Sequence, residues 1–244
     1  MNKTVEEAVS SIKELKKLLN NEKIVEVAVC PPFTALEAVS KLLKSANIKL
    51  GAQNMHFADS GAFTGEISGN MLKNLDCEYV ILGHSERREF FHEDNSLINK
   101  KVASALKHDL KPILCVGEDL EQRRNELTSE AIEKQLRKSL ENIKKQQMTN
   151  LVIAYEPVWA ISRGDPNTKA ATPKDAVDAH KFIRDILVDI FDQDIALETR
   201  IIYGGSMKPD NANDLLSKPG IDGGLVGNAS LNPKSFFEII NAAR

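Results

Sequence analysis

A chain of 244 residues, 42% hydrophobic and 27% charged, can bury one large core and has the composition of an ordinary globular protein. Its net charge of −3 argues against nucleic acid as a partner, which would need a basic face. No apolar run approaches the roughly 18 residues of a membrane span, and the opening MNKTVEEAVS has no signal-peptide core.

Residues 4–20 carry a helical period, with Val5, Val9, Ile12, Leu15, Leu18 and Leu19 on one face. An apolar run at 26–30 stops at Pro31-Pro32 and reads as the first strand, followed by a helix over 34–43. Further strands are predicted at 48–52, 79–83, 111–116, 151–155, 200–204 and 223–226. Helices are predicted between them near 68–74, 95–108, 128–146, 174–191, 211–217 and 233–243. Start signals stand at Thr128 and at Thr172-Pro173. The strands are almost wholly apolar, as in a parallel sheet covered on both faces. Alternating strands and helices build such a sheet. No linker rich in Gly, Ser or Pro divides the chain, so 1–244 is expected to form one domain. Cys30, Cys77 and Cys115 lie in or beside apolar stretches at wide spacing and read as reduced core thiols in a reducing compartment.

Chemistry in such folds gathers where strands end and loops begin. His84 closes the run EYVILG and stands beside Glu86, where a histidine can polarise a carbonyl. Glu156 closes LVIAYE ahead of Pro157. A carboxylate ending a buried strand is costly unless paired or used, and here it suits a base that takes a proton next to a carbonyl. The turns Gly204-Gly205-Ser206 and Gly227-Asn228 follow the last two predicted strands. Their glycines let backbone N–H groups approach an anion. The polar stretch 161–172, with Gly164 in it, reads as a lid over the site. His56, His92, His108 and His180 have no companions at ligand spacing, so no metal is expected.

The segments GAFTGEIS (61–68), ILGHSERR (81–88), ILCVGE (113–118), AYEPVWAI (154–161) and IIYGGS (201–206) make the chain resemble the triosephosphate isomerases over nearly its whole length. The resemblance implies a TIM-type (β/α) barrel that needs no cofactor and works as a cytoplasmic homodimer. It implies interconversion of dihydroxyacetone phosphate and D-glyceraldehyde 3-phosphate, a reaction of glycolysis and gluconeogenesis. That family is itself a standard instance of a glutamate base paired with a neutral histidine. By position, Glu156 would shuttle the proton, His84 would serve the enediolate oxygens and Glu86 would support them. Phosphate would be held by Gly205, Ser206, Gly227, Asn228 and, from the lid, Gly164. Thr64, within the loop 53–68, would reach the partner subunit's site.

Departures from the family pattern carry expectations of their own. The family opens with a strand bearing an Asn and a Lys ahead of a Met-Asn pair, whereas this chain starts at Met1-Asn2. Seven of the barrel's eight strands are therefore expected here, with exposed strand edges and impaired activity. The lid is longer and more polar than usual, and Asn228 stands where a second glycine is common. Two rival readings are a non-catalytic barrel that only dimerises or binds, and another barrel enzyme acting on a phosphorylated sugar or indole precursor.

Overall fold

The computed structural model describes residues 1–20, 24–44, 46–161 and 170–244. Six parallel strands form one sheet in chain order. They are β1 (Val27–Val29), β2 (Ile48–Ala52), β3 (Tyr79–Leu82), β4 (Lys111–Val116), β5 (Val152–Tyr155) and β6 (Arg200–Tyr203). Register runs from Val27 opposite Ile48 at one end to Tyr155 opposite Tyr203 at the other.

The sheet is strongly curled. Six flat strands would separate β1 from β6 by about 24 Å, at about 4.8 Å per step. Yet Glu26, just before β1, lies 3.2 Å from the Arg200 guanidinium at the start of β6. Tyr79, at the start of β3, donates its hydroxyl to the same carboxylate. A second sign is an apolar cluster inside the curl. There Tyr79, Ile81, Ile113, Cys115, Val152 and Ala154 meet Ala28, Ile202 and Leu225. The larger core lies outside, between the sheet and its helices.

The seventh predicted strand, 223–226, does not extend. Among the described residues it contributes one bridge, Gly224 opposite Tyr203. Glycines at 223, 224 and 227 bring no side chains to pack on a pleated surface, which weakens a strand. The run nevertheless continues the sheet's direction, because Leu225 N–H donates to the Tyr203 carbonyl at 2.8 Å.

Most predicted helices form, with local reasons at their ends. Val5–Leu19 starts from Thr4, whose hydroxyl accepts Glu7 N–H while the Glu7 carboxylate accepts Thr4 N–H. Its buried face is Ala8, Ile12, Leu15 and Leu19, so Val5, Val9 and Leu18 flank the stripe. Pro173–Ile190 starts from a Thr172–Asp175 box of the same kind. Thr128 is the first residue of Thr128–Ser139 and makes no cap bond. That helix stops well short of 146, and Asn142 then takes φ +62°. Three short helices were not predicted: Ser85–Phe90, Leu120–Arg124 and Gln193–Glu198. Each holds six residues or fewer, too few for a helical period to register. Among the described residues, no helix is long and apolar enough to cross a membrane.

Candidate active site

The carboxyl ends of β3, β4, β5 and β6 converge on Glu156. Its backbone N–H donates to the Val116 carbonyl at 2.8 Å, which carries β5 one residue past its assigned end. The side chain is 2% exposed. One oxygen, Oε2, accepts the Ser85 N–H at 3.0 Å. The other, Oε1, lies 3.0 Å from His84 Nε2. This second contact is one of distance without hydrogen-bond alignment, so among the described residues Oε1 has no hydrogen-bond partner. A buried carboxylate oxygen without a hydrogen-bond partner is uncommon and marks this position as a candidate site.

His84 caps the helix Ser85–Phe90, its Nδ1 accepting the Glu86 N–H at 3.4 Å. That bond leaves Nε2 to carry the proton of a neutral ring, and Nε2 is the atom facing Glu156. The turn into the cap needs Gly83, which sits at φ +70°, a conformation that costs other residues about 1–2 kcal/mol. Glu86 is exposed, its carboxylate 3.9 Å from His84 Nδ1.

The predicted turn after β6 packs on the same glutamate. A Cβ added at Gly204 would lie 2.8 Å from Glu156 Cγ and 3.1 Å from the Tyr155 carbonyl oxygen. Glycine is therefore required for close approach. Among the described residues, the N–H groups of Gly205, Ser206 and Gly227 donate to no acceptor. Gly227 and Asn228 lie one segment further round, reached through the Tyr203–Gly224 bridge. Gly227 accepts from both the N–H and the hydroxyl of Ser230. Gly164 and most of the predicted lid fall outside the described residues. Thr64 is exposed on the loop 53–68, which is closed at its base by His56 N–H bonded to the Ile67 carbonyl.

The structure also assembles residues to which sequence reasoning gave no role. Glu118, fully buried, accepts the Trp159 indole N–H at 2.7 Å and the Tyr155 hydroxyl at 3.1 Å. Burial pushes its carboxyl above the usual range, against the pull of its own backbone, Trp159, Tyr155 and Arg123. Arg123 stacks on the Trp159 ring and pairs with Asp175, tying the two flanks of the lid segment together. Nearer the base of the loop 53–68, Glu93 bonds both Lys101 at 2.5 Å and Arg87 at 2.6 Å, and Lys101 reaches Asn54 at 3.0 Å. A charge within an apolar strand end, as at Glu118, is the local signal available for such groups. Nothing local marks Glu93 or Lys101.

The chain is similar to known proteins over nearly its whole length. The family model described as triosephosphate isomerase matches residues 1–243. A triosephosphate isomerase of Finegoldia magna is 51% identical over 242 residues, spanning 99% of this chain and 94% of the relative. One from Carboxydothermus hydrogenoformans is 50% identical over 243 residues, 100% and 95% of the two chains. One from Dictyoglomus turgidum is 48% identical over 242 residues, 99% and 96%.

Proposed function

The chain belongs to the triosephosphate isomerase family, and from that premise we propose how its residues divide the work. It is an aldose–ketose isomerase whose substrate is a phosphorylated triose, in a reaction of glycolysis. Glu156 acts as the base, taking a proton from the carbon beside the carbonyl and returning it to the neighbouring carbon. His84 donates a hydrogen bond from Nε2–H to the oxygen on which charge develops and so stabilises the enediolate that forms when Glu156 takes the carbon proton. Glu86 holds the ring from behind, since its N–H on Nδ1 selects the tautomer that can donate. Substrate enters between Glu156 and His84, and the carboxylate gives up its contact with His84 as it does so.

The phosphate lies against the backbone N–H groups of Gly205, Ser206, Gly227 and Asn228. Support for this is the absence of acceptors for the first three among the described residues, and the packing of the Gly204 turn on the base itself. Gly164 is the proposed contribution of the lid. Thr64 is assigned to a homodimer contact through the loop 53–68, beside the exposed Phe63 ring. We place the enzyme in the cytoplasm, in keeping with three free cysteines, and treat residues 1–244 as one domain.

One observation carries the reading: a glutamate and a histidine from the ends of different strands meet at 3.0 Å, the glutamate buried. The Glu156→Gln variant tests it. Turnover of D-glyceraldehyde 3-phosphate should fall by about 10²–10⁴-fold. Unchanged kcat would remove Glu156 from the role of base.

A further inference from the structure

Arg88 lies on the helix capped by His84 and sends its guanidinium across the ends of two strands. Its Nε donates to the Gly83 carbonyl at 2.7 Å, immediately before His84. Its Nη2 donates to the Cys115 carbonyl in β4 at 2.9 Å. The residue after Cys115 is Val116, whose carbonyl receives the Glu156 N–H. The remaining arm, Nη1, is held by Asn95 Oδ1 at 2.6 Å. One rigid fork thus spans the strand end that presents His84 and the strand end that supports Glu156. A fork of this kind fixes distances that a flexible ammonium does not.

The charge is as informative as the fork. All three acceptors are neutral, and among the described residues no carboxylate lies within ion-pair distance of Arg88. A partly buried cation left in this state is costly unless a nearby anion compensates it. Glu156 and Glu93 are the anions whose fields it feels. The groups acting on Glu156 are His84 and Arg88 from the β3 side and the Cys115 thiol from β4. Burial and the Glu156 carboxylate push the Cys115 thiol well up, so it stays neutral. Arg88 is then the permanent positive charge in that set.

We propose that Arg88 is a positioning residue for the isomerisation, its fork setting the separation of His84 and Glu156. This rests on the assignment of Glu156 and His84 made above. The competing role is a staple that stabilises the fold and leaves the chemistry alone.

Two variants separate the roles. Arg88→Lys keeps the charge and loses the fork, whereas Arg88→Gln loses both. Steady-state rates with D-glyceraldehyde 3-phosphate between about pH 5 and 9 are the readout, on protein verified as folded by circular dichroism. Both variants should lose about 10–100-fold in kcat, the scale of a small misplacement of reacting groups, with KM changed by less than about 2-fold. Folded variants with parental kcat would overturn the proposal, whatever their melting temperatures. If neither folds, Asn95→Ala releases one arm of the fork, and a parental kcat there would also overturn it. An inactive Glu156→Gln alongside unaffected Arg88 variants would refute this inference alone. An active Glu156→Gln would refute the assignment beneath it.

Discussion

The buried charges of Glu93 and Lys101 allow a prediction of size as well as sign. Their side chains are 4% and 3% exposed, with Lys101 Nζ 2.5 Å from Glu93 Oε1. Burial holds the Lys101 ammonium below its usual range, and the Glu93 contact only partly offsets this. The pair is thus maintained against a desolvation cost. Replacing Lys101 by Met strips Glu93 of one partner and leaves it Arg87, at 2.6 Å. Glu93 Oε2 already lacks a hydrogen-bond partner among the described residues. Breaking a buried pair costs about 3–5 kcal/mol, and the surviving Arg87 contact places this case at about 3 kcal/mol. For a chain of this size each kcal/mol moves the melting temperature by about 2–4 °C, so Lys101→Met should melt about 6–12 °C lower. The double variant Lys101→Met with Glu93→Leu removes both charges and should recover more than half of that loss, because an apolar pair carries no desolvation penalty. Thermal and urea unfolding at one fixed protein concentration would measure both. A single variant within about 2 °C of the parent would refute the reasoning, as would a double variant no more stable than the single.

Two further outcomes are expected. Gly204→Ala would push a methyl group to 2.8 Å from Glu156 Cγ, costing about 1–3 kcal/mol of stability and about 10–100-fold in kcat. Steady-state kinetics on the folded variant checks this, and a parental kcat would show that Glu156 tolerates displacement. His180 is 1% exposed, its Nδ1 bonded to the Gly220 carbonyl at 2.9 Å and its Nε2 without a partner among the described residues. Burial lowers its proton affinity against the pull of Gly220 and Asp222, with Arg184 adding to the lowering. The unfolded chain therefore binds the proton more readily, and the stability this group contributes is present above its ordinary value of about 6.5 and lost as pH falls below it. The urea midpoint should drop between pH 7 and pH 5, and drop less in His180→Asn. Equal pH dependence in the two proteins would exclude His180 as the cause.

Much of this molecule was decided locally, and those parts were legible in the chain. Short, almost wholly apolar runs such as 111–116 and 151–155 suit strands covered on both sides, and they pair as β4 and β5. Thr4 with Glu7, and Thr172 with Asp175, satisfy helix N–H groups within a single turn. His84 and Glu156 stood out because each is a polar residue ending an apolar run. Other features have no local cause. Ser85 and the glutamate it holds are 71 residues apart, and their contact depends on the curl that brings four strand ends together. The run 223–226 looked like its neighbours, but its glycines left it with a single bridge, because strand strength comes from side chains packed across the sheet. Nothing in the sequence marked Glu93, Lys101 or Arg88 as buried or partly buried, because local sequence does not say which charged side chain a neighbouring segment will cover. Residue type and period determined which elements form and which side chains could do chemistry. Only tertiary packing decided the distances between them, because those are set by contacts between segments that sequence order does not connect.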